Sequence, residues 1–170
     1  MVFLHADKPP GHLVTALGLP PRSRILAAAF LADQEIWLIA ASTGFGVAGA
    51  ARQDFRSWDL IERAKLTRAG GLLSITYADT RQTEDFAIQP RDKRLASIVN
   101  ERVRASLVEV EHVDVPGGRV AVALRRRPAD QSVYLQELPD PGIDEDAAAP
   151  LVRALRERLG EAAGLPSSTW

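Results

Sequence analysis

The stretch IWLIAASTGFGVAGA (residues 36–50) decides between two folds. Its apolar run, Ile36–Ala41, leads into the spacing Gly44-x-Gly46-x-x-Gly49. If the run is a parallel strand and a helix begins at the last glycine, the glycines form a loop that binds the pyrophosphate of a dinucleotide. If the run instead pairs with an antiparallel neighbour, the glycines mark a turn in a meander, which is typical of a binding or structural module.

The residues around this stretch favour the antiparallel fold. A second apolar run, 24–33, precedes 36–42 and is separated from it by a short polar segment, which predicts a β-hairpin. Ser42 and Thr43 interrupt the passage into the glycines, whereas a buried parallel strand is usually apolar throughout. A lone GxGxxG spacing also arises readily in a chain rich in Ala and Gly. We therefore keep the dinucleotide-binding enzyme as the alternative hypothesis.

The segment after the glycines provides the test between the two hypotheses. A dinucleotide site requires a helix over residues 50–64 and an acidic residue such as Asp79 at the end of the next strand. Phe55, Trp58 and Ile61 have helical spacing, but they also suit a short strand that enters a bend. The sequence leaves this segment open between helix and strand.

Composition describes an ordinary globular chain of one domain. The 170 residues are 46% hydrophobic and 25% charged, and the formal net charge of −1 gives no strong nucleic-acid signal. No apolar run reaches the roughly 20 residues that span a bilayer, and MVFLHADKPPG lacks the basic start of a signal peptide. We therefore expect a cytoplasmic protein without a transmembrane segment.

Few residues are suited to catalysis or metal binding. The absence of cysteine excludes disulfides, thiolate nucleophiles and Cys-based metal sites. The three histidines, His5, His12 and His112, are scattered, and no serine lies in a G-x-S-x-G elbow. The sequence therefore predicts no catalytic residue, no metal site and no cofactor.

Periodicity places the helices and the domain boundaries. Residues 91–106 carry an apolar stripe typical of an amphipathic helix, and a second helix is predicted near 146–160, after an acidic start. We predict a Pro-rich lead-in over 1–21 with at most one helical turn, a single domain over 22–164 and a tail over 165–170.

A second hairpin is predicted around Pro116-Gly117-Gly118, because Val120, Val122 and Leu124 alternate cleanly after this turn signal. In the preceding run, LVEVEHVDV, the valines change phase, which predicts a β-bulge near His112.

Three groups of basic residues could assemble a patch for an anionic ligand: Arg91, Lys93 and Arg94; Arg102 and Arg104; and Arg125-Arg126-Arg127. The last group is the candidate anionic-ligand patch, although alternation along a strand would place Arg126 on the opposite face from its two neighbours. A solvated face is the simpler interpretation of all three groups.

Several motifs together carry a resemblance to a family: LGLPPRSRILA, IWLIAAS, F-x-x-W-D-L-I-E-R-A, GGLLSITY, VNERVRASLV, GGRVAVALRRRP and ALRERLG. Their order over residues 14–164 resembles an uncharacterised family of high-GC actinobacteria that is similar to bacterial pleckstrin-homology-like domains. The chain has Lys65 where related sequences tend to have a further Trp. The resemblance implies a strongly bent antiparallel sheet or partial barrel closed by a helix, and it implies no catalytic residues.

The sequence thus predicts an α+β fold, PH-like, with about six or seven antiparallel strands. The favoured function is a non-enzymatic binding or scaffolding module for an unknown protein, peptide or lipid ligand. The alternative is a small nucleotide-binding enzyme that uses Gly44, Gly46 and Gly49.

Overall fold

The computed structural model describes residues 8–67 and 71–166 and has an α+β fold, as the sequence predicts. Within these residues, ten strands form three antiparallel sheets, and three α-helices accompany them. The sheets are separate, so the strands do not form one closed barrel. The chain divides into two compact units, with the boundary between Arg104 and Ala105.

The first unit contains two sheets. A four-stranded sheet has the order β1-β2-β3-β4 and a three-stranded sheet has the order β5-β6-β7. The elements are α1 (Gly11–Ala16), β1 (Ile25–Leu31), β2 (Ile36–Ala41), β3 (Gly44–Gly49), β4 (Gln53–Ser57), β5 (Ile61–Thr67), β6 (Leu72–Tyr77), β7 (Thr83–Ala87) and α2 (Lys93–Ser106), which ends just beyond the boundary.

The predicted hairpin is confirmed. β1 and β2 pair antiparallel, with Leu31 opposite Ile36 at the turn end, and β2 then pairs antiparallel with β3. The connection between β2 and β3 is only Ser42-Thr43. The two residues that argued against a parallel strand therefore form the link between two antiparallel strands.

Residues 50–64 contain no α-helix. β4 is followed by a 3-10 turn, Trp58–Leu60, and then by β5. The turn explains the helical spacing of the apolar residues, because it shifts the phase between two strands that each alternate on their own. The Trp58 indole is buried and donates from Nε1 to the Ala41 carbonyl at 3.0 Å, which fixes the turn against β2.

The main core of the first unit lies between its two sheets and α2. Phe45 of β3 packs with ring centroids 6.5 Å from Trp58 and 6.0 Å from Phe86 of β7. The apolar stripe of α2 joins this core through Leu95, Val99 and Val103, so the predicted amphipathic helix is confirmed. A 3-10 turn, Pro90–Asp92, precedes the helix, which therefore begins slightly later than predicted.

The outer face of the four-stranded sheet is also covered. Leu17, just after α1, packs with Trp37, Ile39 and Ala48 in a second apolar cluster. All six residues of β2 and all six of β3 are consequently buried. The Pro-rich lead-in thus contains one short helix and also packs against the sheet.

The second unit is a three-stranded sheet with one helix. Its elements are β8 (Leu107–Val115), β9 (Gly118–Arg126), β10 (Val133–Pro139) and α3 (Glu145–Ala162), and the sheet order is β10-β9-β8. Val152, Leu155 and Leu159 of α3 pack on Val120 and Leu124 of β9. The predicted hairpin and C-terminal helix are confirmed. Asp144 caps α3 by accepting from the Ala147 N–H at 3.1 Å.

Two details of the strand prediction are wrong. The register of β8 shifts between Leu107 and Glu109, not near His112, where the pairing with Ala121 is regular. The valines change phase because Val108 and Val110 lie on the same exposed face as His112. Residues 8–67 and 71–166 also contain ten strands rather than the predicted six or seven, because the glycine stretch and residues 51–66 form β3, β4 and β5.

His5 and most of the predicted tail lie outside the described residues. In the part of the chain that is described, each helix is too short or too polar to span a bilayer.

The packing of Phe86 predicts a large stability effect at that position. Phe86 is 2% exposed in the core, whereas Phe30 of β1 is 37% exposed. Phe86→Ala should lower the free energy of unfolding by about 3–5 kcal/mol, because it leaves a cavity between the sheets. The matched change Phe30→Ala should cost less than half as much. Urea unfolding measures both, and equal losses would contradict the described core.

Candidate functional site

The glycines of the Gly44-x-Gly46-x-x-Gly49 spacing lie inside β3 and do not form a loop. β3 pairs with β2 on one side and with β4 on the other, and all three glycines are buried. None has a positive φ. They are therefore neither a phosphate-binding loop nor the hairpin turn that the sequence favoured, and the segment after them offers no helix N-terminus for a pyrophosphate.

Close packing explains why glycine occupies these positions. A Cβ on Gly44 would lie 2.2 Å from the Arg56 carbonyl oxygen, and one on Gly46 would lie 2.8 Å from Leu17 Cδ1. A Cβ on Gly49 would lie 3.0 Å from the Glu35 carbonyl oxygen. Gly44 and Gly46 thus allow neighbouring atoms to approach β3 closely, and the spacing is a packing feature.

The three arginines of the candidate anionic patch do not share an exposed surface. Arg125 is 1% exposed, and its Nη1 donates to Ser106 Oγ at 3.1 Å. Arg126 and Arg127 are exposed, and the Arg127 guanidinium stacks over the Tyr134 ring at 4.3 Å. At most two of the three arginines are therefore accessible to a ligand.

The described histidines do not converge with other titratable groups. His12 and His112 are both exposed, on α1 and β8 respectively. Across residues 8–67 and 71–166, no group of three His, Asp or Glu side chains is arranged to hold a metal ion.

A cluster of charged side chains links the two sheets of the first unit. Both carboxylate oxygens of Glu84 accept from Arg52 Nη2 at 2.9 Å, and Glu84 Oε2 also accepts from the Tyr77 hydroxyl at 3.0 Å. Arg56 pairs with Asp79 and also lies 3.4 Å from Asp54. We call this set the ionic cluster; its members are Arg52, Asp54, Arg56, Tyr77, Asp79 and Glu84.

The two arginines of the ionic cluster are neutralised within it. Each arginine has at least two carboxylate neighbours, and the charged side chains are about one-third exposed. Such pairs contribute roughly 0–1 kcal/mol each in water, so they orient β4 against β6 and β7 more than they stabilise the unit. Its cations are thus occupied, which makes the cluster a poor site for an anionic ligand.

Tyr77 is the strongly perturbed member of the ionic cluster. Burial raises the pKa of the Tyr77 phenol well above its ordinary value of about 10, and the negative charge of Glu84 raises the pKa further. The phenol therefore stays protonated and donates its hydrogen bond throughout the neutral range.

A groove lies along the edge strand β1. It encloses about 520 Å³, and one wall is the first half of β1, Ile25–Ala28. The opposite wall comprises Arg91, Arg94 and Leu95, in the 3-10 turn and the first turn of α2. Lys8, Pro9 and Asp92 complete the lining. We call this feature the β1 groove.

The groove lies beside an edge strand. β1 is the edge of its sheet, so one side of its backbone has no strand partner in the described chain. Leu26 lies where the β1–β2 register shifts, between Ile25 and Ala27. The side chains of the next strand residues are only methyl groups, which leaves room for a second backbone beside the strand.

The β1 groove carries a positive charge. Among the described residues, three cationic side chains and one carboxylate line it, a formal charge of +2. The carboxylate, Asp92, is used internally: Oδ2 accepts from the Gln89 N–H at 3.0 Å, and Arg91 Nε lies 4.0 Å away. Lys8 and Arg94 are exposed, and neither has an ion-pair partner among the residues described.

The sequence indicated only part of this groove. Arg91, Lys93 and Arg94 stand out as a basic group, and the structure brings the first and last of them to the groove. Lys8 gives no signal of its own in the sequence. The proximity of α2 to β1 depends on contacts across the whole unit, which local periodicity does not record.

Comparison with protein-family models, with curated proteins and with solved structures finds no match to this chain. The geometry and charge of the chain itself are therefore the basis for assigning a function.

The glycine packing predicts different effects at two positions. Gly44→Ala should lower the free energy of unfolding by about 1–3 kcal/mol or more, because the added methyl meets a backbone oxygen that cannot move away. Gly46→Ala should cost less, since it meets only the tip of the Leu17 side chain. Urea unfolding measures both losses.

A double-mutant cycle provides the control. Leu17→Ala should relieve Gly46→Ala, with a coupling of at least about 0.5 kcal/mol, and should not relieve Gly44→Ala. Equal coupling at the two glycines would contradict the described packing of Leu17.

Tyr77 predicts a loss of stability in alkali. In the unfolded chain the phenol ionises near pH 10, whereas in the folded chain its raised pKa keeps it protonated. Stability that is fully present below pH 10 should therefore fall above it, with a limiting slope of about 1.4 kcal/mol per pH unit. Tyr77→Phe should remove this slope. Urea unfolding at pH 8–11 measures the free energy of unfolding of both proteins. The same dependence on pH in both proteins would contradict the raised pKa of Tyr77.

Proposed function

We propose that the chain is a non-enzymatic cytoplasmic binding module whose first unit has a PH-like arrangement and binds an extended peptide segment along β1. The observation that carries the proposal is the β1 groove, a space of about 520 Å³ between an unpaired strand edge and the start of a helix.

The order of elements supports the PH-like part of the proposal. Seven strands in two antiparallel sheets are followed directly by one helix, α2, whose apolar stripe joins the core between the sheets. This order agrees with the partial barrel closed by a helix that the family resemblance implies. The second unit, which follows the helix in the chain, has its own sheet and core and is not part of the proposed PH-like arrangement.

Strand addition is the mode of binding that the groove favours. An extended peptide can pair with a free strand edge through main-chain hydrogen bonds, while side-chain pockets beside the edge provide specificity. The methyl groups of Ala27 and Ala28 allow a close backbone approach, and Ile25, which is 40% exposed, offers an apolar contact. A compact small molecule would leave the N–H and C=O groups of this edge to water.

The nucleotide-binding alternative has less support. It depends on Gly44, Gly46 and Gly49, which lie in a strand buried on both faces. A ligand that approached these glycines would have to displace Leu17 or β4.

A peptide screen tests the proposal. A displayed library of random twelve-residue peptides is panned against the full chain, and the recovered peptides are titrated by fluorescence anisotropy. Titration of the ¹⁵N-labelled chain should move the amide signals of Ile25–Ala28 and of residues 91–95. Recovery of no peptide, or amide shifts confined to other parts of the chain, would contradict peptide binding in the groove.

Ile25→Trp should weaken the recovered peptides by at least about tenfold, because Ile25 is 40% exposed and the indole would fill the groove without disturbing the core. Val108→Trp is the matched control, since Val108 is a β-branched strand residue with 45% exposure in the second unit. Equal binding by the two variants would remove the β1 groove as the site.

A further inference from the structure

We infer that the peptide bound in the β1 groove is acidic, with Asp or Glu side chains that pair with Lys8, Arg91 and Arg94. The inference rests on the proposed function and names the chemical class of its ligand. Strand addition alone is indifferent to peptide charge, because it uses only main-chain groups. The charge selectivity therefore comes from the side chains around the strand edge.

The groove retains positive charge that the described residues around it do not neutralise. Asp92 is the one carboxylate among the described lining residues; its side chain is 11% exposed, and it accepts from the Gln89 N–H. Arg91 approaches it at the limit of an ion pair, 4.0 Å. The guanidinium of Arg94 and the ammonium of Lys8 have no carboxylate within ion-pair distance in the described residues.

The opposite edge of the same sheet has a different arrangement of charge. Arg52, just before β4, and Arg56, on β4, are both paired, with the carboxylates of Asp54, Asp79 and Glu84. The cations at this edge thus have more carboxylates than they need, whereas the described lining at the other edge has a surplus of positive charge beside a strand without a partner in the described chain. A ligand that supplies both a strand and carboxylates satisfies the two features together.

The geometry also places the acidic residues within the ligand. The cations line the groove beside Ile25–Ala28, the first half of β1. Carboxylates should therefore occur in the part of the peptide that pairs with these residues. They should project toward α2, where charge-assisted hydrogen bonds to guanidinium groups are available.

Three labelled peptides test the inference. Each has the core Thr-Val-Thr-Val-Thr, flanked on both sides by two glutamates, two glutamines or two lysines. The acidic peptide should bind the full chain about tenfold more tightly than the neutral one, and the basic peptide should bind most weakly. The preference for the acidic peptide should shrink as the salt concentration rises from 50 to about 300 mM.

Charge reversal in the groove identifies the residues responsible. Arg94→Glu should remove or invert the order of the three peptides. Arg104→Glu, an exposed change on the same helix but outside the groove lining, should preserve that order. A circular dichroism melt confirms that both variants are folded. If Arg94→Glu still bound the acidic peptide most tightly and the basic peptide most weakly, the role of Arg94 in charge selectivity would be overturned.

The outcomes separate the inference from the proposed function. Equal binding of acidic and neutral peptides, with amide shifts along β1, would overturn the inference and leave peptide binding intact. Failure of every peptide, both here and in the library screen, would overturn the proposed function itself. Co-sedimentation with vesicles of phosphatidylcholine containing phosphatidylserine, lost in Arg94→Glu while no peptide binds, would assign the cations to a lipid surface and overturn both.

Discussion

The burial of β2 and β3 on both faces is the constraint on which the first unit depends. A sheet with one face in water shows alternating apolar and polar residues, whereas these two strands are buried at every position. The inner face joins the core between the sheets, and the outer face lies under Leu17 and its neighbours. The described part of the lead-in, residues 8–21, is therefore part of the folded unit, and Gly46 of β3 is the glycine that lets Leu17 approach.

Much of the fold follows from local signals. Apolar runs separated by short polar turns predict the hairpins, and the stripe at Leu95, Val99 and Val103 predicts α2, because these patterns depend only on residues near in sequence. Local apolar patterns do not predict the structure of the segment around Trp58. A 3-10 turn of three residues changes the strand phase there, so the periodicity of two strands imitates that of one helix.

The glycine spacing illustrates a different limit. A spacing records residue types, whereas phosphate binding depends on backbone conformation and on a helix that begins at the end of the loop. Gly46 pairs with Ile39 beneath Leu17, and both Gly44 and Gly46 serve close packing without a positive φ. Their contacts with Leu17 and Arg56 join segments that are separated in sequence. The β1 groove cannot be predicted from the sequence for the same reason, because Lys8, β1 and α2 meet only in the folded unit.

The two edges of the four-stranded sheet face the same physical problem and meet it differently. An unpaired edge invites pairing with any other strand, and proteins restrain such edges with charges, proline or short length. β4 carries paired charges, and β10 of the second unit ends in a proline. β1 combines small side chains with cations across a groove that the described residues do not fully compensate. Two copies of this edge would bring like charges together, so the cations oppose self-pairing and favour a strand of opposite charge. If the proposed function holds, the same side chains both keep this edge from pairing with a second copy and select the peptide that pairs with it.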